Sequence, residues 1–308
     1  HQSKIDNQMM KKSNIFEINQ ELSGQRLDNF LIKRLKGLPK SLIYKLVRSG
    51  QVRVNKKRSN VSYRISDNDL IRIPPYLLQE NVIADKILLN TNEYIHYENE
   101  NFLLIDKPYG ISVHSGTNQE VDFLSSLRKA QNNTNLSLVH RLDKNTSGCL
   151  LVSKNYHVAS DLGKELMNKN IKKKYYALLI GVLDKEIIEI ESKIEKDGKY
   201  QKMIVNEDDG REAYTKITLL QKYKSFSFVE IEIETGRTHQ IRVHASSIGH
   251  PVAGDSKYDT LSSKKINKEL NLKRLFLHAY YLSFYYDKKY EFILDLPDDL
   301  KEVLSLIE

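Results

Sequence analysis

The longest apolar run in this 308-residue chain, residues 175–183, is nine residues long. A helix that crosses a bilayer needs about 20, so the run reads as a buried strand and membrane insertion is excluded. Residues 102–105, 150–152, 229–233 and 292–294 repeat the pattern, as short β-prone stretches set off by Gly, Pro, Asn or Asp. Helical spacing is rarer, near residues 121–130, 159–168 and 238–248. Helices and strands do not alternate regularly. The expected class is therefore α+β on a large mixed, mainly antiparallel sheet, and a doubly wound parallel sheet is disfavoured.

Upstream of residue 93 the pattern changes. Leu27, Phe30, Leu31 and Leu35 fall at helical spacing; Pro39 opens a second helix with Leu42, Ile43, Leu46 and Val47 on its apolar face, and Gly50 closes it. Val52 and Val54, then Ile71 and Ile73, alternate like short strands. Residues 21–75 hold thirteen basic and four acidic side chains, whereas residues 76–308 hold thirty-two and thirty-four. The basic excess thus lies in one small module built to meet a polyanion. Lys33, Arg34, Lys40, Lys45, Arg48, Arg53, Lys56, Lys57 and Arg58 are its expected nucleic-acid contacts. The expected organisation is a tag remnant and extension over 1–20, the basic module over 21–75, a linker over 76–92 and a catalytic domain over 93–308. The single cysteine, Cys149, permits no intrachain disulfide and no Cys-rich zinc site, which predicts a reducing, cytoplasmic compartment.

Two stretches carry chemistry. In LVHRLDKNTSGCLLVSKN, residues 138–155, an extended backbone over 138–143 would put Arg141 and Asp143 on one face and Leu142 on the other, with turn residues following. Taken alone, Arg-x-Asp is more often an ion-paired loop aspartate than a catalytic one. In ETGRTHQIRVHASSIGHPVAGDSKY, Ile241, Ala245 and Ile248 mark a helix whose start at 235–238 offers backbone amides, with Arg237, to a phosphate. Arg242, one turn along, could reach Asp143. His239, His244, His250 and His278 match no zinc spacing and read as packed or capping residues, so no metal is expected.

HRLDKNTSG and TGRTHQIRVH resemble the two signatures of the RluA superfamily of RNA pseudouridine synthases, with IDKPYGISVHSG and GHPVAGDSKY continuing the likeness. The basic module resembles an S4 (αL-type) RNA-binding domain, and the wording is closest to the RluC-type branch, which acts on large-subunit ribosomal RNA. The resemblance implies that Asp143 is the catalytic carboxylate, that Arg242 pairs with it, and that Tyr175, the Tyr of YYALLIG, stacks on the target base. It also implies that Arg141 fills the place of the flipped uridine, and that His140, Arg237, Thr238 and His239 bind substrate. Lys144 and Asn145 stand where Arg and Asp are more usual.

The implied reaction is the isomerisation of uridine to pseudouridine. It needs no cofactor, and the expected partner is ribosomal RNA of the large subunit or its assembly intermediate, met by a monomer. The alternatives are the same chemistry on transfer RNA or another RNA, a non-catalytic S4 RNA-binding protein, and a nucleoside or glycoside hydrolase. That hydrolase would need a second carboxylate beside Asp143, and none is evident in the sequence.

Overall fold

The computed structural model describes residues 14–307 except 21, 36–37, 39, 75–89, 115–121, 198–201, 207, 271 and 273. The chain divides into two compact units, one ending at Leu89 and the other beginning at Asn90. The expected linker, 76–92, and Pro39 lie largely or wholly outside the described residues.

The first unit comprises β1 (Ile15–Glu17), α1 (Leu27–Arg34), α2 (Lys40–Arg48), β2 (Arg53–Val54) and β3 (Leu70–Arg72). Leu27, Phe30 and Leu31 of α1 and Ile43, Leu46 and Val47 of α2 pack with Val52, Val54, Ile71 and Ile73 into one core. Each such side chain, fully buried, is worth about 1.5–3 kcal/mol. Leu42 departs from the expectation and stays exposed, because the buried stripe of α2 begins one residue later. The sheet runs β1-β3-β2, so it takes in Ile15–Glu17 from the stretch expected to be an extension. Three residues are too few to register as a period. Asn55 and Lys56 adopt left-handed backbone at the β2 turn. All nine predicted RNA-contacting side chains of the module are exposed.

The second unit is built on an eleven-stranded sheet: β4 (Ile95–Glu98), β5 (Phe102–Lys107), β6 (Ser137–Leu138), β7 (Ser147–Ser153), β8 (Lys172–Ile180), β9 (Ile187–Lys196), β10 (Met203–Val205), β11 (Arg211–Lys222), β12 (Phe226–Ile233), β13 (Leu277–Tyr285) and β14 (Lys289–Ile293). The main path is β10-β9-β11-β12-β8-β13-β7-β5-β4. Every pairing is antiparallel except β13 with β7, through His278↔Ser147 and Ala279↔Gly148. The fold is therefore α+β on a mixed, mainly antiparallel sheet. Helices α3 (Phe123–Ala130), α4 (Tyr156–Met167), α5 (Gln240–Ser247), α6 (Leu261–Glu269) and α7 (Asp298–Ile307) complete the unit.

The parallel pair β7–β13 depends on Gly148. Its φ is +110°, and a Cβ there would stand 2.2 Å from the carbonyl oxygen of Ala279. Only glycine lets β7 approach β13 so closely, which fixes the start of β7 directly after the 143–146 turn. Among the described residues, no helix is long and apolar enough to cross a membrane.

Candidate active site

The residues 139–143 do not continue β6; the strand ends at Leu138 and the chain bends. Buried Lys107 explains the departure. Its Nζ donates to the carbonyl oxygens of Pro108 at 2.8 Å, Lys144 at 3.2 Å and Thr146 at 2.8 Å. The amide of Gly110 also donates to Lys144 O, at 2.8 Å, and that of Thr146 to Asp143 O, at 3.1 Å. The IDKPYG segment thus pulls the Asp143 turn out of the sheet. Burial pushes the Lys107 ammonium down to about 7, nearby Arg274 adds to this, and the charge of Asp143 opposes it. The expected facing nevertheless survives, with Arg141 exposed, Leu142 buried and Asp143 half-buried.

Asp143 opens into a cleft of about 720 Å³, which Tyr175, His140, Arg141, Arg237, Thr238, His239 and Arg242 also line. Arg242 Nη1 lies 3.6 Å from Asp143 Oδ2. Its stronger partner is Asp255, which accepts from Nε at 2.7 Å and from Nη2 at 2.8 Å. The expected Arg242–Asp143 pair is therefore the looser arm of an Asp143–Arg242–Asp255 array. Asp255 is the second carboxylate that was not evident in the sequence. It is 1% exposed, and the amides of Lys257 and Tyr258 also donate to it. Burial would raise its pKa, but Arg242 and these amides outweigh burial and hold the carboxyl below its ordinary range. With both oxygens occupied, it cannot serve as the second carboxylate of a hydrolase.

Tyr175 sits on β8 opposite Ile231 of β12. Burial chiefly, and then the charge of Asp143, hold its phenol above the ordinary value, so at neutral pH it is protonated. His239, at a left-handed φ of 56° just before α5, pairs Nδ1 with the Tyr258 hydroxyl at 2.7 Å. Its Nε2 lies 3.9 Å from Asp143 Oδ2. Burial first, with Arg242 and Lys257, pushes the imidazole to about 4 against the pull of Asp143. The ring is therefore neutral and adds no charge to Asp143. His140 is held in place rather than free: its Nε2 accepts the amide of Leu151 at 3.1 Å, and burial pushes it down to about 3.

The helix expected to show an apolar face is buried nearly all round: Gln240, Arg242 and His244 are as enclosed as Ile241 and Ala245. Gln240 turns back on the preceding loop. It accepts from the Thr235 hydroxyl at 2.7 Å and from the Arg237 amide at 3.1 Å, and donates to Tyr214 O at 2.8 Å. The Arg237 guanidinium is tied to Glu212 O at 3.0 Å. His244 lies between Thr215 and Ser192, His250 contacts Ile180 O, and His278 contacts Ser147.

Residues 101–247 match the family RNA pseudouridylate synthase, and residues 25–71 match the S4 domain. The chain is 36% identical to ribosomal large subunit pseudouridine synthase C of Haemophilus influenzae, covering 98% of this chain and 96% of that protein. The protein of the same name from Buchnera aphidicola subsp. Baizongia pistaciae is 39% identical over 92% of each. This chain belongs to the RNA pseudouridylate synthase family. A solved family structure, human RNA pseudouridylate synthase domain containing 1, is 27% identical and superposes with a TM-score of 0.58, covering 68% of this chain and 86% of that one. In this synthase the fold brings the candidate residues named above to one cleft; the sequence alone assigns no role to Lys107, Lys173 or Asp255. Lys107 and Asp255 stand within the quoted motifs IDKPYG and GHPVAGDSKY. Their roles required knowing which carbonyls and which guanidinium they face.

Proposed function

We propose that this synthase converts uridines of large-subunit ribosomal RNA to pseudouridine, with Asp143 as its catalytic carboxylate. One observation carries the site assignment: Asp143, Arg242 and the protonated Tyr175 converge on a single cleft. The bond from ribose C1′ to uracil N1 breaks, the base turns, and C5 bonds to C1′; N1 gains a proton and C5 loses one. The reaction requires no oxidant, phosphoryl donor or metal.

Asp143 can attack carbon covalently or remove the ribose C2′ proton. Arg242 stays charged and sets a positive guanidinium edge beside the Asp143 carboxyl. Tyr175 offers its ring to the base, and Arg141, exposed on the rim, can occupy the space left by the flipped nucleotide, offsetting a cost of a few kcal/mol. The exposed basic face of the S4 domain supplies phosphate contacts. The printed names of the relatives support the ribosomal substrate, and cytoplasmic action as a monomer is part of the same proposal.

Chemical mapping of pseudouridines in total RNA from cells with and without the gene tests the proposal. Sites in large-subunit RNA should vanish with the gene. Loss confined to transfer RNA would move the substrate, and no loss anywhere would end the reading.

A further inference from the structure

Three lysines run along the start of β8, and they have different environments. Lys172 is exposed, and Lys174 pairs with Glu230 at 2.9 Å. Lys173, between them, is 4% exposed and points to the other face, the one that carries Tyr175. It lines the same cleft as Asp143. Among the described residues its ammonium has neither an ion-pair partner nor a hydrogen-bond acceptor. The rim carboxylates Glu191, Glu212 and Glu234 lie beyond ion-pair distance of it, and Glu234 is taken by Lys169 at 2.7 Å.

The Lys173 side chain is enclosed, but its ammonium opens into the cleft with no protein partner among the described residues, a poorly solvated charge that an anion would stabilise. Lys173 Nζ lies 3.8 Å from where a Cβ on Gly236 would stand, which places the ammonium beside the loop that leads into α5. The amides of Thr238 and His239, in the same loop, find no acceptor among the described residues. Burial accordingly pushes the Lys173 ammonium down to about 8. One ammonium and two backbone amides without a protein acceptor, in the loop that leads into a helix, are the donor types that an anion subsite uses. A uracil carbonyl would accept one of these bonds but neutralise no charge, whereas a phosphodiester does both.

We propose that Lys173, with the Thr238 and His239 amides, binds a phosphodiester flanking the target nucleotide and so sets how deeply the ribose enters toward Asp143. This rests on the RNA reading above. Lys173 is thereby a substrate-positioning residue.

The test uses the full chain and a synthetic stem-loop around a uridine found by the mapping, with single-turnover kinetics. Lys173→Met should raise the half-saturating concentration about 10- to 100-fold, the range for a hydrogen bond to a charged group, with a smaller change in the maximal rate. Its thermal midpoint should hold or rise, because a poorly solvated charge is removed; a purely structural lysine would lower it. A neutral methylphosphonate at one linkage, 5′ or 3′ of the uridine, should cost wild type a similar factor and cost Lys173→Met nothing more. Losses that multiply at both linkages, or a half-saturating concentration unchanged in Lys173→Met, would overturn the proposal. So would non-additivity with 2-thio- or 4-thiouridine instead, which would assign the lysine to the base. Should Lys173→Met not fold, a flat methylphosphonate scan on wild type overturns it equally. Wild-type protein that makes no pseudouridine would instead sink the functional reading itself.

Discussion

Arg242 gives its two short hydrogen bonds to Asp255, at 2.7 and 2.8 Å, and meets Asp143 only through Nη1, at 3.6 Å. The guanidinium is oriented from behind by a carboxylate that never reaches the cleft. Its remaining edge is then free to face Asp143 without locking it. Asp143 is left half-buried at the cleft.

Asp255→Asn should therefore weaken both stability and catalysis. Removing one charge from a buried pair costs about 3–5 kcal/mol, and the released Arg242 is expected to clamp Asp143. The thermal midpoint at pH 7 and the single-turnover rate should both fall. Because the folded pKa of Asp255 lies below its ordinary value, its contribution is full above the unfolded carboxylate value and is lost as pH falls below it. Wild type and variant should accordingly converge in strong acid. A fully active variant would remove Asp255 from the orienting role.

Asp143→Asn keeps the shape and removes the charge. Binding to RNA should remain near wild type, while pseudouridine formation drops by at least about 10² to 10⁴, the usual worth of a positioned catalytic group. Turnover within tenfold of wild type, by mass spectrometry of the product RNA, would end the assignment.

At Tyr175 the ring and the hydroxyl can be separated. Tyr175→Phe should bind RNA almost as well as wild type, and Tyr175→Ala should lose roughly 1–3 kcal/mol of binding. If the alanine variant instead melts early but turns over normally when folded, the residue is only core.

The histidines predict acid sensitivity. Burial holds His140 at about 3, and His244 and His278 at about 4, below the ordinary value of about 6.5. Between these limits the unfolded chain binds protons that the folded chain refuses. Stability is thus full above about pH 6.5 and declines as pH falls, by at most about 1.4 kcal/mol per pH unit for each histidine. Urea midpoints should drop from pH 7 to pH 5, and His244→Gln should flatten that drop. Equal slopes would contradict the assignment.

Replacing Lys56, Lys57 and Arg58 together by Gln should weaken RNA binding and reduce the salt slope by about 0.7–0.9 for each phosphate no longer neutralised. The maximal rate should not move. An unchanged slope would mean that this loop is not an RNA anchor.

Much of this was legible in one dimension. Burial in β5, β7 and β8 is continuous enough to write itself as apolar runs, and the two core helices of the S4 domain carry their period openly. Harder to read were β9, β11 and β13. The first two mix apolar and charged residues along half-exposed faces, and β13 is dense in tyrosine. The 139–143 segment misled because local alternation suggests a strand, and only the three bonds from Lys107 show that the turn is held elsewhere.

Linear order was enough to set the α+β class and the segregated basic module, which depend on composition and period, properties of neighbours along the chain. The candidate cleft residues came instead from the motifs that resemble the synthase family. Only in the folded chain does Arg242 answer first to Asp255, Lys107 hold the Asp143 turn, and Lys173 rather than Lys172 or Lys174 face the cleft. Those outcomes turn on hydrogen bonds across 13 and 39 residues of separation and on the side of the sheet to which a strand turns each residue. A linear pattern carries neither until the sheet has formed.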